Sequence, residues 1–153
     1  MKIGAKELEK RVKAFSEVSR RHGDKVTHQR MEIYRELAKT PEHPDAETIY
    51  RRVRKRIPSI SLDTVYRTLR LLEDEGLISR VGSISERTRF DANTDRHHHF
   101  VCTECGFIGD VYNEEWNTLK SPKDVTLMGK VDSIHVELRG LCNTCRRKKL
   151  NNP

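Results

Sequence analysis

A chain of 153 residues with 35% hydrophobic and 35% charged residues holds one domain or two small ones, with small cores that metal or dimerisation would supplement. No stretch approaches the roughly 18 apolar residues of a membrane span. The N-terminal MKIGAKELEKRVK also lacks the apolar core of a signal peptide, so a cytoplasmic protein with reduced cysteines is expected. The formal charge of +7 resides in residues 1–90, which carry 21 Lys+Arg against 14 Asp+Glu, while residues 91–153 carry 9 of each. A basic nucleic-acid reader joined to a neutral sensor would show this asymmetry, and so would a merely soluble basic surface.

Residues 5–22 place Leu8, Val12, Phe15 and Val18/Ser19 at helical spacing, and Gly23-Asp24 ends that helix. Thr27 caps a second helix with Met31, Tyr34, Leu37 and Ala38 inward. Pro41 and Pro44 make residues 40–44 a loop; by its place alone, His43 there reads as a solvated loop histidine. Asp45 caps a third helix to about Arg56, with Ile49, Tyr50 and Val53 inward. Ser61 caps a fourth, Leu62 to Glu75, closed by Gly76. Its apolar stripe is Leu62, Val65, Tyr66, Leu69 and Leu72, with Asp63, Thr64, Arg67, Thr68 and Arg70 largely outside it. Leu77–Val81 and Arg87–Asp91 read as strands joined through residues 82–85. Helices followed by a hairpin spell a winged helix-turn-helix, whose long helix would enter the major groove.

The second half alternates toward a strand at His97–Thr103, partnered by Ile108–Val111, with Cys105-Gly106 in the turn. A short helix is expected at Glu114–Lys120, stopped by Pro122, then a third strand at Lys130–Leu138 and a basic tail over Leu141–Lys149. Cys102-x-x-Cys105 and Cys142-x-x-Cys145, with thirty-six residues between them, can supply four thiolates to one tetrahedral zinc. A thioredoxin-type redox pair is disfavoured because neither pair is read as opening a helix after a buried strand. On a strand, His97 and His99 share one face, a workable metal clamp near Asp91 and Asp110, while His98 points the other way.

The chain resembles the ferric-uptake-regulator family of metal-sensing repressors. The resemblance spans about Lys25 to Lys149 and rests on THQR (Thr27–Arg30), HPDAETIY (His43–Tyr50), SLDTVYRTLRLLEDEGL (Ser61–Leu77), RFD (Arg89–Asp91), HHHFVCTECG (His97–Gly106) and LCNTC (Leu141–Cys145). It implies a homodimer that binds a double-stranded DNA operator. The fold class is then α+β: an N-terminal winged helix-turn-helix DNA-binding domain plus a small C-terminal α/β dimerisation domain with structural zinc. The expected boundaries are 1–90, a hinge at 91–96, and 97–153. The chain looks most like the peroxide-responsive repressor branch, which places Asp after Arg-Phe where the iron-uptake branch commonly places Glu; here that residue is Asp91. This resemblance implies a regulatory site of His43, Asp91, His97, His99 and Asp110 holding Fe(II) or Mn(II), with His43 and His97 as the residues oxidised by peroxide. It implies DNA contacts from Arg30, Thr64, Tyr66, Arg67 and Arg70. Some members carry a further metal site, whose positions are Arg96, His98, Asn117 and Ile134 here, with His135 out of register; that site is expected to be absent or weak.

Within the family, the rival reading is an iron- or manganese-uptake regulator using the same ligands. Outside it, a zinc hydrolase built on His97, His99 and an Asp would need a general base and a cleft, and the sequence offers no second acid–base constellation. A structural zinc module in a larger complex is the blander alternative. No enzymatic activity is expected.

Overall fold

The computed structural model describes residues 3–82 and 87–151, and the chain divides into two compact units after Thr94. In the first unit, α1 (Ala5–Arg21), α2 (His28–Ala38), α3 (Ala46–Arg54) and α4 (Leu62–Asp74) precede an antiparallel pair, β1 (Ser79–Val81) and β2 (Arg89–Asp91). Three helices begin where their sequences provide a side-chain cap. Thr27, Asp45 and Ser61 accept from the amides of Arg30, Thr48 and Thr64 at 3.2, 2.7 and 3.1 Å, each worth about 1 kcal/mol. Gly23 and Gly76, at φ +78° and +71°, take the left-handed conformation that ends α1 and α4.

The core of this unit joins Phe15, Ile33, Tyr34, Leu37, Ile49, Val53, Val65, Leu69, Leu72 and Phe90. Phe15 stacks on Tyr34 with ring centroids 4.9 Å apart, and burial pushes the Tyr34 phenol up to about 12. On α4 the inward face is Val65, Thr68, Leu69 and Leu72, spaced i, i+3, i+4, i+7. Tyr66, assigned to that stripe from sequence, is 50% exposed, and Thr68, assigned outside it, is buried. The helical period decides between them: Thr68 lies three residues from Val65, whereas Tyr66 lies only one.

Glu32 and Glu36 are buried on α2, which hydrophobic spacing did not foresee. Arg56, just beyond α3, contacts Glu32 Oε2 and Glu36 Oε1 at 2.6 Å each, and Lys39 also contacts Glu36. Burial alone would raise the Glu36 carboxyl, but hydrogen bonds from Lys39 and Arg56 outweigh it and hold it below the usual carboxylate range. The strand expected from Arg87 starts at Arg89, because Arg87 turns toward Asp45 and Glu47, 3.5 and 2.9 Å away. The first expected strand likewise shortens to Ser79–Val81, since Leu77 and Ile78 follow the Gly76 turn into the core. The expected turn at 82–85 lies outside the described residues except Gly82, at φ +70°.

The second unit is a three-stranded sheet ordered β4 (Ile108–Val111), β3 (His98–Cys102), β5 (Glu137–Gly140). β4 pairs antiparallel and β5 parallel to β3. The long β4–β5 connection required by parallel pairing contains α5 (Glu114–Asn117) and a 3-10 helix at Lys123–Leu127. The strand expected at Lys130–Leu138 is displaced to Glu137–Gly140. These four residues register with His99–Cys102, and the contact with β3 begins where the His99 amide donates to the Val136 carbonyl. The tail forms α6 (Asn143–Asn151), which buries only Cys145 and so lacked a periodic apolar signal. Among the described residues no helix is long and apolar enough to cross a membrane.

Candidate metal centres and nucleic-acid interface

The four cysteines meet where β3, the Cys105-Gly106 turn, the end of β5 and the start of α6 come together. Gly106, at φ +70°, reverses the chain between Cys105 and β4. Cys102, Cys105, Cys142 and Cys145 bring their sulfurs within 4.8 Å of one another, with Cys105 Sγ and Cys142 Sγ 3.8 Å apart. A tetrahedral zinc with bonds of about 2.3 Å requires sulfur separations of about 3.8 Å. The backbone N–H of Cys142 donates to Cys102 Sγ (3.3 Å) and that of Cys145 to Cys142 Sγ (3.5 Å). Amide donation from Cys105 and Cys142 draws the Cys102 thiol down to about 6, toward the thiolate that binds metal. The second pair opens α6, but that helix follows the exposed strand β5, so neither pair opens a helix after a buried strand, as expected. All four residues therefore fit a structural zinc.

In the same unit, His97 and His99 converge as strand alternation predicts. His97 Nε2 lies 3.0 Å from His99 Nε2, and Asp110 Oδ1 lies 3.7 and 3.8 Å from those two nitrogens. All three residues are well shielded from solvent. His97 Nδ1 meets the Asp95 carbonyl at 2.7 Å. That contact favours the proton on Nδ1 and a lone pair on Nε2, the tautomer a metal needs. Two imidazoles and a carboxylate form a hard-to-borderline donor set suited to Fe(II), Mn(II) or Zn(II). His98 faces the opposite side. Its Nδ1 accepts from the Val136 amide at 3.1 Å, and its ring lies edge-on to Trp116. Burial lowers its pKa, so the neutral imidazole serves as packing.

In the first unit, His43 is 2% exposed, not the solvated loop residue its position alone suggested. Its Nε2 lies 3.6 Å from Asp91 Oδ2, while Asp91 Oδ1 accepts from the Asn93 amide at 2.7 Å. The loop is drawn onto β2. Phe90 N–H donates to the Pro44 carbonyl at 3.1 Å, and Asp45 bridges to Arg89. The Arg89 guanidinium donates to the carbonyls of His43 and Glu42, the latter at 2.9 Å. His43 has φ +50°, a left-handed conformation disfavoured by about 1–2 kcal/mol for a residue with a Cβ. Arg89 stood in the RFD motif, but nothing in its spacing marked it as a loop clamp.

The DNA-contact candidates divide by environment. Tyr66, Arg67 and Arg70 stand exposed on α4, with Arg67 Nε 2.8 Å from Asp63. They line a groove of about 330 Å³ between α4 and the hairpin, together with Arg80 and Thr88. Arg80, absent from the sequence expectations, is aimed by Glu73, whose two carboxylate oxygens accept from its Nε at 2.8 and 2.9 Å. Thr64 is half-buried at the first turn of α4, with its hydroxyl 2.8 Å from the Ser61 hydroxyl. Arg30 donates to the Lys25 carbonyl at 2.9 Å and lies 3.5 Å from Asp24.

Residues 21–139 match the model of the ferric uptake regulator family. The peroxide-responsive repressor of Staphylococcus aureus (strain USA300) is 32% identical over 129 residues, covering 84% of this chain and 87% of the relative. The Campylobacter jejuni peroxide stress regulator superposes with a TM-score of 0.66 at 26% identity, covering 88% of this chain and 98% of that one. The Helicobacter pylori ferric uptake regulator shares the fold at TM-score 0.72 and 24% identity, over 91% and 93% of the two chains. The chain belongs to the ferric uptake regulator family.

Proposed function

We propose that the protein is a homodimeric, metal-dependent repressor that binds operator DNA through α4 and senses hydrogen peroxide through oxidation of its own histidines. The observation that carries this reading is the pair of buried donor sets: His97, His99 and Asp110 in one unit, His43 and Asp91 in the other. We propose that they share one Fe(II) or Mn(II), while the four cysteines hold structural zinc. Three imidazoles and two carboxylates offer five donors, and a six-coordinate ion then keeps one position for peroxide.

A metal with ligands on both sides of residues 91–96 would fix the angle between DNA-binding and dimerisation halves, and so the spacing of the two recognition helices. His97 or His43 is the residue expected to gain oxygen. One oxygen of the peroxide replaces the hydrogen on an imidazole carbon, and the other leaves as water. The imidazole carbon would give up the two electrons that the peroxide takes, and a bound Fe(II) would mediate the opening of the O–O bond without net oxidation, chemistry that Mn(II) does not readily do. Support comes from Asp91, from the 32%-identical staphylococcal peroxide-responsive repressor and from the Campylobacter peroxide stress regulator. The basic charge of residues 1–90 supports the DNA half of the reading.

A DNA-shift assay with Mn(II), with Fe(II) and with neither, before and after dilute peroxide, tests it. Metal-dependent binding that peroxide abolishes only in the Fe(II) form is the expected result. Metal-dependent binding that survives peroxide with both metals would instead identify an iron- or manganese-uptake regulator.

A further inference from the structure

We infer that Arg89 is the positioning residue of the regulatory metal: its guanidinium holds the His43 loop in the conformation in which that imidazole can act as a ligand. The inference rests on the metal reading above. It stands on contacts within the first unit alone.

His43 lies between Pro41 and Pro44 in a segment with no helix or strand of its own. Its φ of +50° is one that a side-chain-bearing residue rarely adopts without being held. Backbone pairing and the Arg89 side chain both hold its peptide planes. The first is backbone: Phe90 N–H donates to the Pro44 carbonyl, and Asp45 bridges to Arg89. These fix residues 44 and 45 and leave His43 beyond the last pairing. The second is the Arg89 side chain, whose Nε donates to the His43 carbonyl and whose terminal nitrogen donates to the Glu42 carbonyl at 2.9 Å. A planar fork meeting two successive carbonyls fixes both peptide planes around His43, which a point charge cannot do.

Arg89 and Asp91 sit at i and i+2 on β2, so one strand face carries both the clamp and a carboxylate facing the same histidine. The carboxylate oxygen 3.6 Å from His43 Nε2 and the guanidinium on the His43 carbonyl thus grip that residue from its two ends. Outer contacts that orient a ligand commonly change metal affinity by roughly 10–100-fold when removed.

The test uses the full-length zinc-loaded protein. Mn(II) affinity is measured by calorimetry for wild type, Arg89→Ala and Arg89→Lys, with zinc content, metal-free melting temperature and amide hydrogen exchange over residues 40–45. In Arg89→Ala, Mn(II) affinity is expected to fall roughly 10–100-fold, with zinc retained, a near-unchanged melting temperature and faster exchange in the loop before any Mn(II) is added. Arg89→Lys should fall between, since an ammonium reaches one carbonyl. Equal Mn(II) affinity and equal loop exchange in all three overturn the inference. If Arg89→Ala loses zinc or fails to fold, Arg89→Lys decides: wild-type affinity overturns the inference and weakened affinity supports it. A wild type that takes up zinc but no Mn(II) defeats the metal reading itself, an outcome distinct from unequal variants.

Discussion

His99 on β3 and Asp110 on β4 stand directly opposite each other in the antiparallel ladder, with Nε2 and Oδ1 3.8 Å apart. His97 joins them because side chains two residues apart share a strand face. The three-donor cluster is therefore a product of register: a slip of one residue would turn Asp110 to the other face and break it. The same alternation sends His98 into the packing against Trp116. Three consecutive histidines thus divide into two side chains of the His/Asp cluster and one core side chain.

Replacing Cys142 with Ser should release zinc and unfold the junction of β5 and α6 with the Cys102–Cys105 turn. Structural zinc in small modules contributes about 10 kcal/mol or more, and few buried apolar side chains in this unit would offset its loss. Zinc content by mass spectrometry and dimerisation by sedimentation are the readouts. A Cys142→Ser protein that remains dimeric and folded without zinc removes the assignment.

Arg67→Ala should weaken operator binding by about 1–3 kcal/mol if one base contact is lost. The Arg67 side chain is 81% exposed and its Asp63 partner 68% exposed. Their surface ion pair contributes at most about 1 kcal/mol, so folding should survive. Anisotropy with an operator selected from random DNA provides the measurement, and unchanged affinity takes Arg67 out of the interface. Wild-type affinity should also fall steeply with salt as phosphate counterions compete.

Glu36 provides a pH-dependent prediction. Its folded pKa lies below the unfolded value of 4.5, so it contributes stability above about pH 4.5 that disappears as pH falls through the folded pKa. Glu36→Gln should therefore lower stability by about 1–3 kcal/mol at neutral pH, because Lys39 and Arg56 lose their shared anion. The difference from wild type should narrow in acid. Urea melts at pH 7 and pH 4 decide it: an equal gap at both values contradicts the role given to this carboxylate.

The helices of the first unit were legible because their signals are local: Thr27, Asp45 and Ser61 cap as their positions predict, and glycines close α1 and α4. The cysteine cluster was legible because spacing alone limits what two C-x-x-C pairs can do. What escaped reading depends on partners distant in sequence. His43 is buried because β2, some forty-six residues downstream, accepts its loop. The placement of β5 follows from its register with β3, which no local pattern specifies. Tyr66 misled because an aromatic residue on the border of an apolar stripe fits either side, and only packing shows it half exposed.

Asp91→Glu is the most discriminating variant for peroxide sensing. Asp91 holds the Asn93 amide with one oxygen and faces His43 Nε2 with the other. This short side chain keeps the carboxylate close to its strand. One added methylene carries the carboxylate farther toward the histidine and loosens its hold on the Asn93 amide. Such a change should preserve a metal ligand while altering the position available to peroxide. Asp91→Glu is accordingly expected to keep metal-dependent DNA binding and lose much of its peroxide response. In the wild-type Fe(II) protein, dilute peroxide should add one oxygen atom to the peptide holding His43 or the peptide holding His97, release the metal and end DNA binding. In the Mn(II) protein the same dose should leave both peptides and DNA binding intact. Peptide mass mapping beside the DNA-shift assay reads both outcomes. Unmodified histidines in an Fe(II) protein that stays on DNA would remove peroxide from its function and leave a regulator that reports metal alone.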